Sequence, residues 1–597
     1  MFKSIRASAA MLKRNWSTLL WFELLYRAMS YVLLYPVLHR LLMQAMSAAG
    51  TAYISQENVV RLFKSPLSIL LLLLLGLLFA FYVYIELAAI ILCFEAGWQG
   101  RTISLRTLIR QTLSQSVRLI HYRNLLLYLG LIPMFALSFF RMSSSMLTAF
   151  RIPEFIMDFI RENALLFAAF GIVLVIINIY IFFFLFGLPD AIENHTGIRG
   201  ALRSSRALLK GRKRRALTTL ILSLLGMMAL MVMVAALFIL VFWGYSRFYP
   251  PEQGRYIFQD ALVSFGKVGN VLLDIYYTVV LLAIIIAQYH MYRGDSLRAH
   301  EKIKWGPVHL MRRLLAVVAA FVLLSVYSES EISGNLFHDP NPATEIVAHR
   351  AGAAFAPENT LAALESAIDS GANWAEIDVQ QTRDGALIVM HDANFKRTTG
   401  YDANVWETDL DTVRTLDAGA FFDTAHAGER IPTLEEMLDS AKNRINLMIE
   451  LKYTGHETDL VARTLELIRS THMEDQCMIV SMNMDILQQV KAKAPGMKTA
   501  YVTALLLTDD YDLKSIDCYS VETTNLSYAM VAQAHIQQKR VYAWTANSER
   551  TIKQILKSQA DGLITDNAPL ARYYLEDKGE FSLTSLLVNF FYPITPD

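Results

Sequence analysis

Cysteine is scarce in this sequence. Its 597 residues include only Cys93, Cys477 and Cys518, which excludes a disulfide scaffold and a cysteine-based zinc site. Charged residues are thin too, at 18% against 54% hydrophobic, and that balance excludes an intrinsically disordered chain. Net charge is almost lacking, at +1 from 55 basic and 54 acidic side chains. The cancellation conceals a division. Residues 1–328 hold 33 basic and only 14 acidic residues, leaving 22 and 40 to residues 329–597, so the two parts carry +19 and −18. The first part lacks acid and the second lacks base, so two pieces in different surroundings are expected. No soluble basic face is left for a nucleic-acid partner.

What the first part has is long uncharged stretches. Residues 67–85, 163–189 and 216–246 contain no Asp, Glu, Lys or Arg, and each is long enough to cross hydrocarbon. Weaker candidates at 17–46, 124–140, 268–289 and 314–328 bring the expected number of spans to seven. Glu23, Arg27, His39 and Arg40 interrupt the first of them. Residues 1–16 lack the apolar core and cleavage site of a signal peptide and are expected to be retained. Lys and Arg in successive connections number four, two, five, three, eight, three and six, a strict alternation of rich and poor loops. Basic loops stay in the cytoplasm. The pattern therefore predicts a multi-pass protein of the cell membrane with a cytoplasmic N-terminus and everything after residue 328 on the extracytoplasmic side. Glu86, Glu95 and Asp274 lie in or beside apolar spans, with Glu95 expected at the interface and the bundle expected to anchor rather than transport.

After a polar linker at 329–344, short apolar runs alternate with helical stretches: 345–349, 374–379, 387–391, 446–451, 478–482, 499–503, 518–521, 541–545 and 562–565. Strands separated by helices imply a parallel sheet, and about eight repeats imply a closed (β/α)₈ barrel. The expected architecture is an α-helical transmembrane bundle followed by an α/β TIM barrel at 345–577, with an apolar tail at 578–597. Nine runs are one too many for eight barrel strands, and 499–503 or 518–521 is the expected surplus. The tail, with Leu583, Leu586, Leu587, Phe590 and Phe591 at helical spacing, is expected to dock on the barrel. Cys477 and Cys518 are expected to be buried and unpaired.

Chemistry in such barrels gathers at the C-terminal ends of the strands. His349 and Arg350 end the first run, Glu376 and Asp378 lie in the second, His391 and Asp392 end the third, and Glu450 and Lys452 close the fourth. Residues two apart on a strand face the same side, so Glu376 and Asp378 share one. Two His, four acids, an Arg and a Lys on neighbouring strands would be a costly arrangement for packing alone.

The stretches Ile346-Val-Ala-His-Arg350, Pro357-Glu-Asn-Thr360, Glu376-Ile-Asp378-Val-Gln380, His391-Asp392, Glu450-Leu-Lys452, Trp544-Thr545 and Thr565-Asp566 resemble the glycerophosphodiester phosphodiesterase family over about residues 345–575. The apolar first part is similar to the membrane domain of some bacterial members, and the segment at about 393–440 looks like the family's insertion over the active-site mouth. Where the family usually has His-Arg-Gly, Ala351 follows Arg350 and Gly352 comes one later. The resemblance implies hydrolysis of a glycerophosphodiester to an alcohol and sn-glycerol 3-phosphate, with a vicinal glycerol hydroxyl attacking phosphorus to give a cyclic phosphate that water opens.

The residues suit that chemistry. Glu376, Asp378 and Glu450 offer hard oxygen donors for one divalent cation, Mg²⁺ or Ca²⁺. Arg350 and Lys452 are candidates for the phosphate. His349 and His391 are candidates for general acid and base, in an order the sequence leaves open. Glu358 is a candidate supporting contact, although Asn359 or Thr360 capping the following helix explains the same stretch. Trp544 is a candidate for stacking on a polyol, while Glu522 and Asp566 are expected at the rim without a part in chemistry. Expected partners are small glycerophosphodiesters, glycerophosphate-containing lipids or polymers, and membrane lipids. Phospholipase C-like or D-like cleavage of lysolipids is an alternative, as is a barrel that only binds or transports lipid.

Overall fold

The computed structural model describes residues 2–118, 163–298 and 343–576 apart from gaps at 52, 56–57, 194–197, 507 and 509–510, together with residues 156–157, 160–161 and 311. The described part of the first domain is helical: Phe2–Met29, Tyr35–Ala48, Pro66–Trp98, Leu105–Arg118, Ala164–Glu193, Ile198–Leu208, Lys213–Ser246 and Pro251–Arg293. Among the described residues, Pro66–Trp98, Ala164–Glu193 and Lys213–Ser246 are long and apolar enough to cross a membrane. The first and sixth expected spans are helical as well. Residues 17–46 lie within Phe2–Met29 and Tyr35–Ala48, joined by a π-turn at Ser30–Leu34, and residues 268–289 lie within Pro251–Arg293. The spans expected at 124–140 and 314–328, and the tail at 578–597, fall outside the described residues.

The helices are apolar nearly all round, so one side packs and the other needs lipid. Ile90, Phe94, Phe184, Phe186 and Ile285 form the interior, while Val232, Met233 and Leu237 on Lys213–Ser246 are more than half exposed. Polar groups lock specific crossings. The Asn15 amide donates to the carbonyls of Cys93 and Arg101, and the Ser8 hydroxyl donates to the Ala283 carbonyl. Glu95, expected at the membrane interface, is buried within the protein against His290, 2.8 Å from its Nε2.

The second domain closes into a barrel. Strands β1 (Glu345–Ala348), β2 (Trp374–Gln381), β4 (Asn446–Leu451), β5 (Cys477–Ser481), β6 (Lys498–Thr503), β7 (Cys518–Glu522), β8 (Arg540–Trp544) and β9 (Gly562–Thr565) pair in parallel, and β1 pairs with both β9 and β2. Both suspected surplus runs are therefore barrel strands. The extra strand is β3 (Leu387–Val389), which pairs antiparallel with β2. Its connection explains this. Only Thr382 to Ala386 separate the two, with Gly385 at φ 84°, and a parallel crossover needs a dozen or more residues.

Alternation along β2 sets the layers. Ala375, Ile377 and Val379 point to the shell packed by the helices. Trp374 points inward, where it meets Val347, Met448, Met478 and Ile564, and Glu376 and Asp378 continue the inward column toward the mouth. All three cysteines are free and buried. The domains touch through the connection between Tyr35–Ala48 and Pro66–Trp98. The Tyr53 ring meets Tyr501 edge-on at 5.9 Å, and Leu505, just beyond β6, packs on Met46, Ile54 and Leu62.

Candidate active site

The inward column of β2 and the end of β4 build the centre. Register pairs Asp378 with Glu450, and one oxygen from each of Glu376, Asp378 and Glu450 lies within 4.8 Å of the others. All three side chains are buried. Lys452 places its ammonium 2.7 Å from Asp378 and 2.9 Å from Glu450. Burial acts to raise Asp378, but Lys452, His391 and Arg350 outweigh it and hold the carboxyl below its ordinary range. Glu376 goes the other way. Burial and the adjacent Asp378 charge push it up to about 8. Three buried acids facing one close ammonium leave negative charge in surplus, and every donor is a hard oxygen. The set fits a divalent cation of the Mg²⁺ or Ca²⁺ kind.

The two histidines reach this centre by different routes. His349 follows β1 directly. Its Nδ1 lies 2.6 Å from Asp566 beyond β9, and Asn547 holds the second Asp566 oxygen. Burial acts to lower the His349 pKa, and the Asp566 hydrogen bond and charge more than offset it, so the imidazolium is favoured. His391 arrives by the hairpin: β3 runs back along β2, and Gln380 Nε2 donates to the carbonyls of Met390, His391 and Asp392 at 2.8, 3.2 and 2.7 Å. Its Nδ1 lies 2.8 Å from Asp392. Each ring is thus held by a carboxylate at Nδ1, leaving Nε2 for other work.

A chain of ion pairs links the His391 side to Arg350. Arg397 donates to Asp392 at 2.7 Å and to both oxygens of Glu358 at 2.6 and 2.9 Å. Glu358 in turn accepts from Arg350 at 3.0 Å. Burial acts to raise Glu358, and the two guanidiniums outweigh it and lower its pKa. The Arg350 main-chain N–H donates to Glu376 at 2.8 Å, and its Nε is buried without a partner among the described residues. Arg350 and Ala351 have φ of 49° and 62°, so the Ala at the usual glycine position adopts the left-handed turn despite its Cβ. Thr360 caps Leu361–Asp369 through the Ala363 N–H. Asn359 does something else: its amide donates to Asp378 at 2.8 Å and its carbonyl accepts the Asp378 main-chain N–H at 3.1 Å.

Trp544 lies at the upper end of the barrel interior beside Val502, its indole N–H donating to the Ser520 carbonyl at 3.1 Å. Glu522 is buried and accepts from Thr523 and Thr524, away from the carboxylate cluster's own bonds. Asp566, expected at the rim without a role, is the His349 partner. Asn359, Gln380 and Arg397 also belong to the constellation although the sequence assigned none of them a part in it, and so does Asp392, which the sequence placed on the rim beside His391 without a role. The Asp392 signal was present, as a carboxylate beside a histidine.

The Asp566 contact predicts a shift in pH dependence. Asp566→Asn removes the charge that favours the His349 imidazolium, leaving burial to lower its pKa. The limb of the kcat/KM profile that requires protonated His349 should move to lower pH. A profile superposable on that of the unmodified protein would show that Asp566 does not act through His349.

Residues 349–570 match the model of the family described as glycerophosphoryl diester phosphodiesterase, and residues 5–326 match that of the membrane domain of glycerophosphoryl diester phosphodiesterase. A glycerophosphodiester phosphodiesterase of Caldanaerobacter subterraneus subsp. tengcongensis is 32% identical over 233 residues, 38% of this chain and 94% of that protein. One from Bacillus altitudinis is 31% identical over 235 residues, 37% and 94% of the two chains. A solved Oleispira antarctica phosphodiesterase, in complex with the product sn-glycerol-3-phosphate, is 26% identical across 39% of this chain and 97% of its own, with a TM-score of 0.38. Family matches of this extent over both domains, with curated relatives covered over nearly their whole length, establish that the chain belongs to the glycerophosphoryl diester phosphodiesterase family.

Proposed function

We propose that the protein is a membrane-anchored phosphoric diester hydrolase that cleaves glycerophosphodiesters to an alcohol and sn-glycerol 3-phosphate. The observation that carries this is the pair of carboxylate-held histidines flanking a buried three-acid cluster: His349 acts electrostatically on Glu376, and His391 on Asp378. Such a pair can exchange protons on both sides of a phosphorus centre. Two His with three acids also speak against a barrel that only binds lipid.

In this mechanism Arg350 takes the phosphate oxygens, with Nε as a spare donor. Lys452 adds its remaining N–H, since two of its three donors are committed to Asp378 and Glu450. His391 takes the proton of the vicinal glycerol hydroxyl at Nε2. His349, kept protonated by Asp566, gives its proton to the leaving alkoxide. The same groups then act in reverse when water opens the cyclic diester. Glu376, Asp378 and Glu450 would hold one Mg²⁺ or Ca²⁺, which supplies charge neutralisation at the phosphoryl group. Glu358 positions Arg350, and Trp544 offers a face for the polyol.

The domain division we propose is a membrane domain at 1–328, a linker at 329–344, the catalytic barrel at 345–577 and a tail at 578–597. The barrel is proposed to lie on the extracytoplasmic side. Two facts support that side: the alternation of basic loops, and the contact between the barrel and the connection at 49–65, which is poor in Lys and Arg. The reaction is tested by measuring glycerol 3-phosphate release by the full chain from diesters with several headgroups. Release is expected to stop in EDTA and return with Mg²⁺ or Ca²⁺. Absence of metal-dependent release from every headgroup would favour a binding or transport role instead.

A further inference from the structure

Six large apolar side chains in the described barrel are at least 40% exposed: Phe355, Tyr401, Phe421, Tyr453, Ile536 and Tyr573. Their distribution is uneven. Phe355 follows β1 and Tyr453 follows β4, and Tyr401 comes four residues after Arg397, whose guanidinium is held on Glu358 at the mouth, so three of the six ring the mouth on the side of β1 to β4. The network of Arg350, Glu358 and Arg397 lies among them. Scattered exposed apolar residues need no explanation, but a one-sided collar of aromatics does. Phe and Tyr on a rim of this kind suit the headgroup level of a bilayer, where a ring can sit in the interface with its hydroxyl in water.

The opposite side of the mouth is already fixed to the membrane domain. Leu505, just past the C-terminal end of β6, packs on Met46, Ile54 and Leu62, and Tyr53 packs on Tyr501. Met46 and Ile54 lie just before and just after the end of one membrane-domain helix, and Pro66 opens the next. The C-terminal end of β6 is therefore held at the level where those helices leave the bilayer. In a TIM barrel all strands end on one face. With the β6 edge held at the surface and aromatics on the β1 to β4 edge, both sides of the mouth meet the same plane.

Resting on the phosphodiesterase reaction proposed above, we infer that the barrel seats its mouth on the bilayer surface through Phe355, Tyr401 and Tyr453, and draws its substrate from that surface: a glycerophosphodiester that keeps an acyl chain in the membrane. The substrate's polar end enters toward Arg350, and its acyl chain stays in lipid. A water-soluble diester gains nothing from the collar.

Orientation is tested without activity. The full chain in nanodiscs carries a fluorescent label at Tyr401→Cys or, on the opposite rim before β5, at Asp475→Cys, with lipids bearing a quencher. Fluorescence is expected to be lost at 401 and retained at 475, and retention at both overturns the seating. Substrate choice is tested in proteoliposomes with 1-acyl lysophosphatidylcholine against glycerophosphocholine, which has the same headgroup and no chain. The double variant Phe355→Asp/Tyr401→Asp is expected to lose turnover of the lysolipid and keep that of the soluble diester. Equal loss on both, or no loss on either, overturns the assignment. If the unmodified protein cleaves neither, the phosphodiesterase reaction fails and the substrate assignment with it, whereas the label at 401 still reports the seating separately.

Discussion

Replacing His391 by alanine is expected to lower kcat by about 10² to 10⁴-fold, the range a positioned acid or base contributes, while leaving the thermal midpoint unchanged. The two halves of that statement have separate grounds. The His391 side chain is 33% exposed, so its removal opens no buried cavity. What disappears is the proposed proton carrier, a ring held in place where Gln380 fixes the main chain, Asp392 fixes Nδ1 and Arg397 fixes Asp392. The same loss is expected for His349→Ala, which unties Asp566 as well. Steady-state turnover of the purified full chain, with a melting curve as control, checks both. Undiminished turnover by either folded variant removes that histidine from the mechanism. Arg397→Ala separates positioning from chemistry: it should lower kcat less than His391→Ala does, because the ring stays in place with a looser hold.

Much of this site was legible because strand ends in a barrel converge. His349, Arg350, Glu376, Asp378, Glu450 and Lys452 could be placed on one rim from their positions in short apolar runs, without knowing any contact. The same rule misplaced the surplus strand. Residues 387–391 look like any other buried run, and only the brevity of the turn at Thr382-Arg-Asp-Gly385 distinguishes a hairpin from a crossover. That Asp-Gly signal was present and outweighs the apolar pattern. Asn359, Gln380 and Asp566 were hidden for a different reason. Asp566 meets His349 across 217 positions and Asn359 meets Asp378 across 19, and nothing local marks an Asn after a Pro-Glu as a carboxylate's partner rather than a cap. In the membrane domain, hydropathy located apolar spans, but the burial of Glu95 depends on His290 in a helix 195 positions away.

Removal of the Lys452 charge is expected to have the largest effect on stability. Lys452→Met keeps the length of the stem and deletes the ammonium that stands between Asp378 and Glu450, leaving buried carboxylates together. Burial acts against that ammonium, and Asp378, Glu450 and Glu376 more than offset it, so its pKa is raised and it is charged throughout the working range. Breaking a buried pair by deleting one partner costs about 3–5 kcal/mol, which for a domain of this size corresponds to a drop of roughly 10 °C in the melting midpoint. The drop should be seen in EDTA. With Mg²⁺ or Ca²⁺ in excess the gap to the unmodified protein should narrow, because a cation held by Glu376, Asp378 and Glu450 replaces the missing positive charge and binds only the folded chain. Melting of both proteins with and without cation tests this. A variant as stable as the unmodified chain in EDTA would mean that protonation, not Lys452, relieves the cluster. A gap that widens with cation would mean that the three acids and the ammonium bind it together, with Lys452 anchoring a ligand rather than substituting for one. The outcome therefore bears on catalysis as well: only an ammonium that yields the carboxylates to a cation is left with donors to offer a phosphate.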